Sequence, residues 1–296
     1  MSPLPPASTV FDGQRCRLQL GAEIAVLEFF NPDNGCFDPI SETELKSVLD
    51  LLDDFTSLRV LVLTGGLPGV FIRHYDLKTL QVIADQLHRK GVRFSSDRPV
   101  PEAAFPRLVR RLAEANYVTI AAINGVAMGG GFELALGCDI RIAQDGAYPI
   151  GLPELNVGIL PGAGGTQRMP QIIGAGRTLY NLLTGRMYSP AQAQQVGLVD
   201  ECVADALQRA LDIAKHVSTL PAKACAHAKH LVRNVGNVPH AQGMADERTL
   251  MCDCLVDPAS MARVKATLDR GTGIESSSLD AQTPATRAPH LSRESN

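Results

Sequence analysis

A chain of 296 residues and 31.7 kDa is long enough to bury a sizeable core, which excludes the small modules stapled by disulfides or zinc. Hydrophobic residues at 45% and charged residues at 20% match ordinary globular usage and exclude collagen, coiled coil and whole-chain disorder. With 28 Lys and Arg against 31 Asp and Glu, for a net charge of -3, the chain lacks the positive excess that phosphate backbones demand, so no nucleic-acid partner is expected.

The seven cysteines form no CxxC pair and have no His at zinc-finger spacing; thiols in a reducing compartment are the expectation, with no metal. Residues Met1 to Ser8 show no basic stretch followed by an apolar core, and no apolar run reaches about 18 residues. No membrane partner and a cytoplasmic location are therefore expected.

Residues 1–13 read as a flexible arm. Alternation over Arg17 to Leu20 and the run Ile24 to Phe29, joined by Gly21-Ala22, predict a hairpin. Ser41-Glu42-Thr43-Glu44 reads as a capping box, and Leu45, Val48, Leu49 and Leu52 recur at helical spacing, predicting an amphipathic helix that ends near Asp54. Two apolar runs, Arg59 to Thr64 and Val118 to Ile123, suit buried strands. Between them Leu77 to Leu87 and Ala103 to Ala115 read as helices, with a loop over Ser95 to Pro101. From Ala204 the pattern is helical only, with starts at Pro221, Pro239 and Pro258. The expected organisation is an α/β core over 14–203, an all-α part over 204–270 and a disordered tail over 271–296.

Two glycine-rich segments carry the chemistry: Met128 to Asp139 and Gly151 to Arg168. Neither is a nucleotide loop, because no Gly-Lys-Ser/Thr is present and Leu134 and Gln167 stand where the last fingerprint glycine belongs. Gly129-Gly130-Gly131 after a buried strand places bare backbone at a helix start, where free amides and the positive dipole end meet. A polarised carbonyl can approach such amides, which is the geometry of an oxyanion hole. Glu133 falls in the first turn beside them. Glu154 lies in the apolar Gly151-Leu-Pro-Glu-Leu stretch, a poor place for a carboxylate without a partner. Taken singly, Glu133 also suits a surface acid that complements the dipole, and Glu154 a solvated loop residue.

Together these segments resemble the crotonase, or enoyl-CoA hydratase/isomerase, superfamily. The resemblance rests on Ile120-Ala-Ala-Ile-Asn-Gly125, Gly129 to Ala135, Cys138-Asp139, Gly151-Leu-Pro-Glu154, Gly158 to Arg168, Leu183-Thr-Gly185, and Ala193 through Gly197-Leu-Val199. It implies a spiral core of ββα units and C-terminal helices that build a homotrimer or homohexamer. It also implies an acyl-CoA substrate with no cofactor beyond the coenzyme A of the thioester. Carried over residue by residue, the oxyanion amides are those of Gly130 and Arg73, the latter from Phe71-Ile-Arg-His-Tyr-Asp76.

Several positions depart from the family's pattern. His74 replaces a usual glycine and is a candidate pocket residue, as is Gly162. The segment between Asp76 and Ala121 is long, and Asn34-Gly-Cys36 replaces the common Asn-Ala-Leu. Glutamates at both family positions imply a hydratase, in which Glu133 activates water and Glu154 handles the α-proton. Isomerisation, thioester hydrolysis and carbon-carbon cleavage are the related alternatives, and a non-catalytic CoA-binding scaffold is the alternative outside enzymes.

Overall fold

The computed structural model describes residues 7–271 together with 273, 274 and 279. It begins with β1 (Ser8–Asp12), β2 (Cys16–Leu20), β3 (Ile24–Phe29) and α1 (Pro39–Asp53). Next come β4 (Val60–Gly65), β5 (Gly69–Ile72), α2 (Leu77–Arg89) and α3 (Ala104–Glu114). The centre holds β6 (Val118–Ile123), β7 (Gly125–Met128), α4 (Gly130–Gly137), β8 (Ile140–Gln144) and β9 (Ile150–Gly151). A 3-10 turn over Glu154–Val157 precedes α5 (Gly165–Ile173), α6 (Ala175–Thr184), α7 (Pro190–Gln195) and β10 (Glu201–Val203). The remaining helices are α8 (Ala206–Ser218), α9 (Ala222–Arg233), α10 (His240–Leu255) and α11 (Pro258–Arg270).

Seven strands form one sheet in the order β1-β2-β3-β4-β6-β8-β10, antiparallel through β3 and parallel from there on. A second, parallel sheet runs β5-β7-β9. Each of β4, β6 and β8 continues into a strand of the second sheet, so the chain turns a corner between two layers three times. At those corners side chains have no room. A Cβ on Gly65 would meet the Val70 carbonyl oxygen at 1.9 Å, and one on Gly125 would meet the Gly69 carbonyl carbon at 2.0 Å. Asn124 bridges the corners: its amide nitrogen donates to the Gly65 carbonyl at 2.7 Å and its oxygen accepts from the Gly65 amide at 3.1 Å. The core lies between the strands and α1, α3 and α4, with Leu45, Leu49, Leu112, Phe132 and Leu134 buried against Leu61, Leu63 and Ala121.

Four expectations need correction. Residues 8–12 of the supposed arm are a strand: Ser8 pairs with Leu20 and Asp12 with Arg17, and the Gly13 amide closes the turn on the Cys16 carbonyl at 2.9 Å. The cap of α1 is Asp38, which accepts from the Ser41 amide at 2.8 Å. Glu44, freed from the expected box, instead accepts the Gln14, Arg15 and Cys16 amides at 2.7, 2.8 and 2.9 Å, tying α1 to the start of β2.

The helical part does not separate at 204. α8 packs on β4, β6 and β8, burying Ala210, Leu211, Ile213 and Ala214, and the chain divides between Arg233 and Asn234 instead. Within the second unit, α10 and α11 pack on each other. Finally, the apolar stretch near Glu154 is a 3-10 turn rather than an irregular loop. The tail expected over 271–296 lies outside the described residues except for Gly271, Gly273, Ile274 and Leu279.

Candidate active site

The site forms where β5 and β7 end side by side. Their parallel ladder runs from Gly69↔Gly125 to Ile72↔Ala127, and the Met128 amide adds a last bond to the Arg73 carbonyl at 3.0 Å. At Gly129 the backbone takes φ +49, a left-handed value that a side chain would strain, and the chain swings out of the ladder into α4. The Gly130 amide is thereby the first of a helix and has no partner within it.

The opposing loop supplies a second free amide, though not the expected one. The Arg73 amide donates to the Gly35 carbonyl at 2.9 Å and is engaged. The His74 carbonyl accepts from the Phe37 amide at 2.8 Å, and across a trans peptide the next N–H points the opposite way. The Tyr75 N–H is therefore directed away from Phe37, towards α4. A Cβ built on Gly130 would stand 3.3 Å from the Tyr75 nitrogen, which places the two backbones in contact. Among the described residues, neither the Tyr75 nor the Gly130 amide has an acceptor. Arg73 is thus replaced by Tyr75 as the second candidate donor.

The Tyr75 side chain is held from the far side. Its hydroxyl donates to Glu42 Oε1 at 2.9 Å, and its ring lies 5.5 Å from that of Phe105. Asp76 caps α2 by accepting the Thr79 amide at 2.8 Å.

Glu133 and Glu154 are both buried, at 3% and 8% exposure, which overturns the surface readings of each. Their hydrogen bonding differs. Glu133 Oε1 accepts from the Ala163 and Gly165 amides at 2.7 and 2.8 Å. Burial pushes its carboxyl above the usual range, and those amides act in the opposite direction by favouring the anion. Neither oxygen of Glu154 has a hydrogen-bond partner among the described residues. Burial, and then the charge of Glu133, push its carboxyl up to about 7. A Cβ on Gly129 would come 3.1 Å from Glu154 Oε1, so only glycine leaves this carboxyl its place.

Glu133, Glu154, Gly129, Gly130 and Gly162 line one cavity of about 680 Å³, together with His74 and Tyr75. The sequence-derived site residues therefore converge, apart from the exposed Arg73 side chain. His74 and Cys36, two departures from the family's pattern, touch each other behind the cavity wall, which His74 lines and Cys36 does not: Cys36 Sγ lies 3.6 Å from Nδ1 and 3.7 Å from Nε2. His74 Nδ1 donates to the Tyr75 carbonyl at 2.7 Å, since a carbonyl oxygen can only accept. Burial pushes the Cys36 thiol up, so it stands there as a neutral thiol.

Arg73→Ala is expected to leave kcat/KM within about twofold, because only an exposed side chain is lost. His74→Ala frees the Tyr75 carbonyl, one peptide beyond the Tyr75 N–H, and by loosening that turn is expected to lower kcat by roughly tenfold, as small misplacements of aligned groups do. Steady-state rates for the two variants check this ordering, and equal rates would remove His74 from the site.

The enoyl-CoA hydratase/isomerase family profile matches residues 19–260, and the chain belongs to that family. It is 33% identical over 207 residues to a putative enoyl-CoA hydratase/isomerase, YngF, of Bacillus subtilis, covering 69% of this chain and 75% of the relative. It is 35% identical over 178 residues to the fatty acid oxidation complex subunit alpha of Vibrio vulnificus, of which it spans 23%. Among solved structures, DspI of Pseudomonas aeruginosa matches with a TM-score of 0.77 and 28% identity over 88% of this chain and 97% of that one. Among the described residues, no helix is long and apolar enough to cross a membrane.

Proposed function

We propose that this protein is an enoyl-CoA hydratase, adding water across the double bond of a 2-enoyl-CoA thioester. The observation that carries the reading is the unlike pair of buried glutamates beside two unpartnered amides. The Tyr75 and Gly130 amides hold the thioester oxygen and stabilise it as it gains charge. Glu133, kept anionic by the loop amides, removes a proton from water. The water oxygen then bonds to the β-carbon, and the double-bond electrons move through the α-carbon to the thioester oxygen. The enolate collapses by taking the Glu154 proton at the α-carbon. A carboxyl titrating near 7 is suited to give and recover that proton. A trimeric or hexameric assembly belongs to the same reading, supported by the exposed Met251, Leu255, Met261 and Leu268 of the C-terminal helices.

The test is loss of the conjugated absorbance of a trans-2-enoyl-CoA on hydration, followed across pH. Glu154 acts protonated, so kcat/KM should fall as pH rises through about 7. It should also fall on the acid side, where Glu133 takes up a proton above the usual carboxylate range. The steps use carboxyls and amides alone, so EDTA is expected to leave the rate unchanged. Metal-dependent activity, or an alkaline limb unmoved in Glu154→Gln, would sink the assignment.

A further inference from the structure

The cavity extends well beyond the two glutamates, and its far wall is α2. Leu77, Leu80, Ile83, Ala84 and Leu87 recur on one face of that helix and line the cavity. None of them is buried; Leu77 and Ile83 are 46% and 44% exposed. α2 starts two residues after Tyr75, so a thioester held by the Tyr75 amide enters this stripe at Leu77 and follows it to Leu87. Ten helical steps cover about 15 Å. A hydrocarbon zigzag of C–C bonds near 1.5 Å advances roughly 1.25 Å per carbon, so the stripe matches on the order of ten to twelve carbons.

The charge of the lining narrows the substrate further. Its ionisable side chains are Glu42, His74, Tyr75, Glu133 and Glu154, with no Lys or Arg among the lining residues. Glu42 already accepts the Tyr75 hydroxyl at 2.9 Å. An acyl group ending in a carboxylate would sit in this cavity among acids with no cation to pair it.

We infer that this site selects an uncharged apolar acyl group of about ten to twelve carbons, laid along the Leu77 to Leu87 stripe, and rejects ω-carboxylated acyl groups. The inference rests on the CoA-thioester reading of the site.

The test compares trans-2-enoyl-CoA substrates of four, eight and twelve carbons with an eight-carbon ω-carboxylated one. Dissociation constants for the matching saturated acyl-CoAs are measured by calorimetry in parallel. A buried methylene is worth roughly fourfold, so kcat/KM should rise at least about a hundredfold from four to twelve carbons. The ω-carboxylate should cost at least about tenfold against its neutral counterpart. Ala84→Trp fills the stripe and should cut the twelve-to-four-carbon ratio at least tenfold, whereas Lys78→Ala, off the stripe, should preserve it.

A flat or falling length profile with hydration intact, or preference for the ω-carboxylate, overturns the inference and leaves the hydratase reading standing. If no substrate is hydrated at any length, the hydratase reading fails. In that case saturated acyl-CoAs that bind tighter with length uphold the acyl assignment, and dissociation constants indifferent to length overturn it.

Discussion

Glu133→Gln and Glu154→Gln should each slow hydration by roughly 10²–10⁴-fold, the usual worth of a positioned proton-transfer group. The glutamine introduced in the first variant would still accept the Ala163 and Gly165 amides through its oxygen, so the fold around α4 is kept. The double variant should be little slower than the worse single one, because two groups serving one addition, one at the water and one at the α-carbon, work as a unit.

Stability separates this loss from structural damage. The folded state holds the Glu154 proton up to about 7, against an ordinary value of 4.5, so the folded protein binds more protons between those limits. Wild-type stability therefore declines as pH rises from 4.5 through 7, and the glutamine variant escapes that decline. At pH 8, Glu154→Gln should melt higher than the wild type while turning over far more slowly. Near-normal hydration by Glu154→Gln beside a dead Glu133→Gln would leave a single-acid reaction as the account. Two fully active variants would take both carboxyls out of the mechanism.

The second large effect is expected at Gly131. A Cβ there would stand 2.1 Å from the Ile72 carbonyl oxygen, a backbone atom of β5 that cannot turn aside. Gly131→Ala must push α4 away from β5, which parts the Gly130 amide from the Tyr75 amide. Overpacking of this kind costs about 1–3 kcal/mol, and backbone contact puts this case at the upper end. Activity should fall by more than about a hundredfold, as loss of an oxyanion donor does. Gly176→Ala, away from the cavity lining, is the control, because nothing lies within 4 Å of its added Cβ. Thermal melts and initial rates for both variants decide the matter, and a Gly131→Ala enzyme as stable and active as Gly176→Ala would refute the close-approach argument.

Much of this was legible in the residues because period and punctuation are local. Val118 to Ile123 is a strand with the expected bounds, and the hairpin from Cys16 to Phe29 turns where Gly21 allows. The convergence of Glu133 and Glu154 was legible only through the family's pattern; spacing alone left a surface acid and a solvated turn open. What escaped depends on direction in space. Ser41 and Asp38 both suit a cap, and the choice is made by Glu44, whose carboxylate is drawn to the Gln14 to Cys16 amides, about thirty residues away in sequence. Arg73 and Tyr75 lie two residues apart in an extended loop, and only the bonds to Gly35 and Phe37 reveal which amide is spent. No propensity records that difference.

The strand order β1-β2-β3-β4-β6-β8-β10 increases steadily with chain position, and β5-β7-β9 does likewise. Every strand is laid on the one before it, and none is inserted between strands already paired. Such a sheet can be assembled from the N-terminus as the chain is synthesised, each new layer finding its template complete. The growing edge stays open until β10, three residues long, closes it against β8. A nascent chain paused after Gln144 would present β8 as an unpaired edge, so aggregation during synthesis should be most acute in the interval before Glu201 emerges.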